Sequence, residues 1–186
     1  MNEDEIIVRR ILQGDQAAFR ELISTHQKLV YHMVSRLIDK EEDREDLCQE
    51  VFLKVFQKLK GFNFQSRLST WIATIAYRKA LNYLRKAQKR QTSGLDEVSH
   101  KVEDNTKPAD TRLDRDAVSE KVHQLIRQLP EHYRIVLTLY HLEGMPYAEI
   151  AQVCEMPEGT VKNYIFRARK ILKEKLEKIY KKEELL

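Results

Sequence analysis

Asp43, Asp46 and Glu50 stand at i, i+3 and i+7, a spacing that lines three carboxylates along one side of a helix. All-α nucleotide hydrolases use carboxylates spaced in this way to hold Mg²⁺. Such a site needs further carboxylates from a second helix. The neighbouring stretch from Leu68 to Arg90 contains none. No Ser/His/Asp set, Cys/His pair or phosphate-binding glycine loop is present. A Mg²⁺ hydrolase is therefore disfavoured, and neither a metal nor a cofactor is expected. The acids do form, with Gln49 and Lys54, a polar face opposite Leu47, Val51, Val55 and Leu59. That face is either plainly solvated or a dock for a basic partner helix.

Two cation-rich stretches point to a different chemistry. Between Ser66 and Arg90 there are seven basic residues and no acid: Arg67, Arg78, Lys79, Arg85, Lys86, Lys89 and Arg90. Trp71, Tyr77 and Tyr83 are interleaved with them. Cations neutralise phosphates and release counterions, and aromatic rings accept unstacked bases, so the pattern suits single-stranded or melting DNA. A basic surface helix with core aromatics would read the same way.

The second stretch is YAEIAQVCEMPEGTVKNYIFRARKILK, from Tyr147 to Lys173. Ile150, Ala151 and Val153 share one side of a short helix. Pro157 removes a backbone donor and biases Met156 away from the α region, which stops that helix. Thr160 is expected to cap the next one. Val161, Ile165, Ala168 and Leu172 then line one face. Lys162, Asn163, Arg167, Arg169, Lys170 and Lys173 occupy most of the rest, with no acid from Thr160 to Lys173. Two helices meeting at a tight break, the second polar and basic, make a helix-turn-helix that can enter a DNA groove.

These segments must be positioned by a small chain of 186 residues with only 5 glycines and 4 prolines. Long runs of Leu, Glu, Lys, Arg and Ala predict an all-α protein. The net charge of +4 says less than its clustering. Two cysteines, Cys48 and Cys154, lie far apart without metal spacing and read as free thiols of a reducing compartment. No signal-peptide pattern and no run of about 18 apolar residues occurs, so a soluble, cytoplasmic protein is expected.

In chain order, a short helix is predicted over Glu5–Leu12. Gly14-Asp15 ends it, and Asp15 caps a long helix to Ile38. That helix carries Phe19, Leu22, Ile23, His26, Val30, Met33, Val34 and Leu37 on one stripe, with His26 a core or boundary residue. The acidic block Asp39–Glu50 opens a third helix. In the loop GFNFQS (Gly61–Ser66), Phe62 and Phe64 are expected to fold back into the core, leaving Asn63, Gln65 and Ser66 exposed. Ser69 or Thr70 is expected to cap the helix that follows. Gln91–Arg115 loses all periodicity and reads as a flexible, acid-rich linker. Its Asp96, Glu97, Glu103 and Asp104 could shield the basic surfaces when DNA is absent. Helices follow over Ala117–Leu129, with Pro130 at the first position of the next, over His132–Leu142, and through the helix-turn-helix.

The segments GDQAAFRELI, EDLCQEVFLKVFQKL, LSTWIATIAYRKALNYLRK and LPEHYRIVLTLYHLEGMPYAEIAQVCEMPEGTVKNYIFRARKIL occur in this order. In these the chain resembles an extracytoplasmic-function sigma factor, the small two-domain type of bacterial transcription initiation factor. The resemblance implies a region 2 domain over residues 1–91, a linker over 92–115 and a region 4 domain over 116–186. It implies that Asp46, Gln49 and Glu50 dock on the clamp helices of the polymerase β′ subunit. It implies that the loop and helix from Gly61 to Arg90 read and melt the minus-ten element. The contacts would be Asn63, Gln65, Arg78, Asn82, Arg85 and Lys86, with a base flipped against the loop. The helix-turn-helix would read the minus-thirty-five element through Thr160, Lys162, Asn163, Arg167 and Lys170, and the helices before it would rest on the β flap. An anti-sigma partner is implied as well, and the resemblance implies a protein that is not itself an enzyme.

This chain departs from the family pattern at several positions. Arg78 and Asn82 stand where members commonly carry Asn and Asp. Glu155 stands where Gly or Asn is frequent, and would be strained if left-handed, by roughly 1 kcal/mol. Tyr164 replaces a frequent Arg, losing a phosphate contact or turning to packing. Thr74-Ile75 occupy the place of the adjacent aromatics with which housekeeping sigma factors melt DNA. A helix-turn-helix regulator that is not a sigma factor would explain Tyr147–Lys173 but leaves the first ninety residues without a role.

Overall fold

The computed structural model describes residues 3–92 and 124–183. Gln91 and Thr92, expected to open the linker, belong instead to the preceding helix; the rest of the expected linker, its acids Asp96, Glu97, Glu103 and Asp104, and Val118 and Val122 lie outside the described residues. The described chain is all helical: α1 (Glu3–Leu12), α2 (Gln16–Ser35), α3 (Glu41–Lys58), a 3₁₀ turn (Leu59–Gly61), α4 (Leu68–Thr92), α5 (Glu131–His141), α6 (Tyr147–Cys154) and α7 (Glu158–Glu183). Residues 124–127 are also helical.

α1 carries Glu3, Asp4 and Glu5 in its first turn and Arg9 and Arg10 in its last, matching the helix dipole at both ends. It buries Val8 and Ile11, while Ile6 and Leu12 stay exposed. Gly14 turns the chain at φ 92°, a conformation that favours glycine. Asp15 then caps α2 as the sequence predicts. Its Oδ1 accepts the N–H groups of Ala17 (2.9 Å) and Ala18 (3.0 Å). Those bonds, Ala18's foremost, together with Arg10 hold the Asp15 carboxyl below its ordinary pKa.

α2 buries Leu22, Leu29, Val30, Met33 and Val34. His26 sits at the edge of that stripe, and burial lowers its pKa despite nearby Asp4. The helix stops at Ser35 rather than Ile38. Leu37 and Ile38 remain buried in the turn, with their amides on the Val34 carbonyl at 3.0 and 2.9 Å. Apolar periodicity therefore ran on past the hydrogen-bonded helix.

α3 buries Leu47, Val51 and Val55, with Leu59 just beyond. α4 buries Leu68, Ile72, Ala73, Ile75, Ala76 and Ala80 and packs on both α2 and α3. Its cap differs from the expectation. Ser69 and Thr70 lie inside the helix, and the free Leu68 N–H donates instead to Asp4 Oδ2 of α1 at 2.9 Å. Phe62 is buried as expected, but Phe64 is not. Phe64 takes φ 59°, stays exposed, and rests its ring 4.7 Å from Phe62.

In the second half, Pro130 caps α5 from outside the helix rather than opening it. α5 buries Ile135, Val136, Leu137, Thr138 and Leu139 in succession, so nearly all its faces are covered. α6 and α7 pack together beneath it. Here the Thr160 cap is corrected. α7 begins at Glu158, Pro157 holds the cap position, and the Thr160 N–H donates to the Pro157 carbonyl at 2.9 Å. A helix can start directly after proline, and Thr160 falls in the first turn. Glu155 is left-handed, φ 54° and ψ 43°.

The two halves touch along α4–α6 and α2–α5, and their buried residues form one continuous cluster.

Candidate nucleic-acid interface

The acidic face of α3 forms as the spacing predicts. Leu47 and Val51 anchor one side in the core, and Asp46, Gln49 and Glu50 stand exposed on the other. Glu50 is not alone there, because Lys79 of α4 places its Nζ 2.7 Å from Glu50 Oε2. Beside this face, α2 and α3 enclose a groove of about 480 Å³ lined by Tyr31, His32, Cys48, Gln49 and Phe52. Leu53 and Phe56 lie in the open on α3, 62% and 55% exposed. Apolar side chains exposed next to a polar face and a groove make this a candidate interaction surface. Sequence reasoning missed both residues. Their signal was that two large apolar side chains stand off the Leu47–Val51–Val55 stripe. Among the described residues, no group of three or more His, Cys, Asp or Glu is arranged to hold a metal ion.

The loop after α3 presents Asn63 and Gln65 to solvent, with Asn63 Oδ1 accepting the Gln65 N–H at 3.3 Å. Phe62 bridges Phe64 (4.7 Å) and Trp71 (5.0 Å), so an aromatic ladder runs from the loop into α4. Asn82, Arg85 and Lys86 are exposed along the far half of α4. With Arg78 they follow helical spacing and share one side. Tyr77, by contrast, is half-buried, and burial, then the proximity of Cys154, pushes its phenol up to about 12.

The first half of that same side of α4 is covered by α6. Glu149 Oε2 accepts a hydrogen bond from Thr70 Oγ1 at 2.6 Å, and Glu149 Oε1 lies 3.3 Å from Arg67 Nε. Thr70 is fully buried and the Glu149 side chain is 19% exposed. Arg78 Nε donates to Glu155 Oε1 at the far end. Those two side chains are 59% and 54% exposed. An exposed ion pair is worth roughly 0–1 kcal/mol, whereas a shielded hydrogen bond to a charged group contributes about 1.5–3 kcal/mol. Glu149 is therefore the main anchor, and Arg78–Glu155 adjusts it. Two further contacts join α2 to the second half. His32 Nδ1 lies 2.6 Å from Glu143 Oε1, and Arg36 Nε donates to Thr138 Oγ1 at 3.1 Å. Burial, then the charges of Arg127 and Arg134, lower the Arg36 pKa.

In the helix-turn-helix, Val161, Ile165 and Ala168 are buried against α5 and α6. That leaves Asn163, Arg167 and Lys170 exposed on the opposite side of α7. Thr160 is half-buried. Lys162 is held by Glu158 at 2.7 Å and lies over the Tyr147 ring, so its side chain is oriented by two neighbours. Tyr147 stacks on Tyr140 at 5.0 Å, and Arg169 covers the other ring while its Nε donates to His141 Nε2 at 3.3 Å. Tyr164 settles on packing: its ring lies 4.5 Å from His132 and 5.3 Å from Tyr133. Phe166, 69% exposed, projects between the polar residues, another position the sequence reading did not single out.

No helix among the described residues is long and apolar enough to cross a membrane. The pattern of Sigma-70 region 2 matches residues 22–90, and that of Sigma-70, region 4 matches residues 119–172. The fold is similar to CnrH in complex with the cytosolic domain of CnrY, with TM-score 0.67, 20% identity and coverage of 95% of this chain and 98% of that one. It is also similar to the sigma factor RpoE in complex with the anti-sigma factor NepR from Bartonella quintana, with TM-score 0.68, 22% identity and coverage of 86% and 96%. The RNA polymerase sigma-H factor of Pseudomonas aeruginosa is 33% identical over 94% of either chain. The ECF RNA polymerase sigma-E factor of Haemophilus influenzae is 34% identical over 94% of this chain and 95% of its own, and that of Escherichia coli K12 is 32% identical over 96% and 97%. With this identity sustained across nearly its whole length, and both sigma regions in order, the chain belongs to the extracytoplasmic-function RNA polymerase sigma factors, a family of transcription initiation factors.

Proposed function

We propose that the chain lends core RNA polymerase its promoter specificity through three surfaces on separate helices. The observation that carries this reading is the exposed polar side of α7, with Asn163, Arg167 and Lys170 set on a buried Val161–Ile165–Ala168 spine. A helix so backed can enter the major groove and present side chains to base edges. In this reading Thr160, Lys162, Asn163, Arg167 and Lys170 contact the minus-thirty-five element, and Phe166 meets a thymine methyl or sugar. Asn63, Gln65, Arg78, Asn82, Arg85 and Lys86 contact the minus-ten element, with the Phe62–Phe64–Trp71 ladder supporting an unstacked base. Asp46, Gln49 and Glu50 dock on the β′ clamp helices, and exposed Leu53 and Phe56 supply the apolar part of that interface. α5 rests on the β flap.

The working units are residues 1–91 and 116–186, joined through 92–115, and the protein acts in the cytoplasm without catalysing a reaction itself. Its binding energy offsets the cost of opening the duplex. The solved sigma factor in complex with the anti-sigma factor NepR supports an anti-sigma partner here too.

Reconstitution with core polymerase on a library of genomic promoter fragments tests the reading. Stoichiometric binding to core and start sites sharing two spaced elements are the expected results. A chain that binds DNA but never co-purifies with core is a helix-turn-helix regulator instead.

A further inference from the structure

The side of α4 that the proposed function assigns to minus-ten DNA is partly occupied by the chain itself. Arg67, Thr70, Tyr77 and Arg78 recur at helical spacing on that side. Arg67 and Thr70 are taken by Glu149. Arg78 is taken by Glu155. Tyr77 lies close enough to Cys154 and Glu155 of the turn for both to act on its phenol. Two carboxylates of the helix-turn-helix thus sit where DNA phosphates would sit. Glu155 and Arg78 meet each other directly across the contact. Glu155 adopts a left-handed backbone at φ 54°, which a glycine there would adopt without strain.

The arrangement cannot be the one that spans a promoter. Elements named for positions minus ten and minus thirty-five are about 25 base pairs apart, or roughly 85 Å at ~3.4 Å per base pair. In the structure α4 and α6 are in contact. Asn163, Arg167 and Lys170 meanwhile remain exposed, so only one of the two readers is covered.

We propose that α6 is an intramolecular occupant of the minus-ten surface: Glu149 and Glu155 latch onto Arg67, Thr70 and Arg78 in the free chain, and this latch must open before α4 can take DNA. The inference rests on the assignment of α4 as a DNA reader. The latch lowers apparent DNA affinity by the fraction of chains that are open, and salt weakens its exposed Arg78–Glu155 end more than its shielded Glu149 anchor.

The test uses the full chain and two readouts. Small-angle X-ray scattering reports the separation of the halves. A labelled single-stranded 20-nucleotide DNA of mixed sequence reports access to α4. Glu149→Gln with Glu155→Gly should expand the particle and tighten DNA binding by roughly threefold to tenfold. Glu41→Gln with Glu42→Gln makes the same charge change away from the contact and should do neither. Arg78→Glu alone should expand the particle, and adding Glu155→Arg should restore its compactness, independently of any DNA measurement. Unchanged dimensions in every variant, or an equal gain in DNA binding by the control pair, overturns the latch. Expansion on schedule with no DNA binding by any variant instead sinks the assignment of α4 as a DNA surface and leaves the contact between the halves standing.

Discussion

Lys79 and Glu50 meet at 2.7 Å, tying the acidic face of α3 to the basic helix α4. The pair is solvent-exposed on the Glu50 side, so its own contribution to stability is small, roughly 0–1 kcal/mol. Its effect is orientational: it points the Glu50 carboxylate toward α4, while helical spacing keeps Glu50 on the side of Gln49 and Asp46. Replacing Gln49→Ala together with Glu50→Ala should weaken binding to core polymerase by at least about 1 kcal/mol. Binding of duplex minus-thirty-five DNA by the same variant should be unchanged. Fluorescence anisotropy with labelled core and labelled duplex separates the two, and equal losses in both would argue against distinct surfaces.

Arg167 is exposed on α7 one turn beyond Asn163. In the proposed function a guanidinium in this place either reads a guanine edge or holds a phosphate. If it reads a guanine, Arg167→Ala costs about 1–3 kcal/mol, concentrated at one base pair of the minus-thirty-five element. A uniform loss across all sequences, with a shallower salt dependence, identifies a phosphate contact instead.

Asp15 gives a pH signature. Its folded pKa is depressed below the ordinary value of 3.8, so the folded chain binds that proton less readily than the unfolded chain. The stabilisation is therefore complete above the ordinary value and is lost as pH falls through the lower folded one. Asp15→Asn keeps a capping oxygen but not the charge. Urea midpoints of the two proteins should differ at pH 6 and converge under acid conditions. A gap that stays constant with pH would mean the charge is irrelevant.

The cysteines are expected to be inert while the chain is folded. Burial pushes Cys48, near Glu45, up to about 11 and Cys154 up to about 12. Only the thiolate is nucleophilic. At pH 8 Cys48 should alkylate about a hundredfold more slowly than in urea, and Cys154 more slowly still, since a pKa rise of two units costs that factor in thiolate. Mass spectrometry of iodoacetamide-treated protein checks the order; rapid labelling of Cys154 would mean that α6 separates readily from its neighbours.

What the sequence discloses, and what it hides, follows from range. The stripes Leu47–Val51–Val55 and Val161–Ile165–Ala168 are periodic within one helix, so burial could be read directly from them. Asp15 sits next to the amides it caps and was equally legible. Thr160 misled because a good capping residue sat two places inside a helix that proline had already started. Phe64 misled because hydrophobicity does not encode a left-handed loop residue that leaves its ring in solvent. Thr70–Glu149 and Arg78–Glu155 were invisible for a different reason. Polar residues 79 and 77 positions apart have no periodicity to betray their pairing. The candidate docking acids and DNA-contacting cations could be nominated from the family resemblance, but not the fact that Arg78 and Lys162 already hold carboxylate partners.

The bond from Leu68 N–H to Asp4 Oδ2 also bears on how the chain is made. Asp4 leaves the ribosome long before the helix whose first amide it will cap. At a synthesis rate of about 5–20 residues per second, it waits several seconds for Leu68 to emerge. When the longest helix of the first half begins to form, the acceptor for its first amide is therefore already present. Asp4→Ala should leave every residue of α4 in place, yet make the first half less stable, because the amide that opens α4 has lost its acceptor.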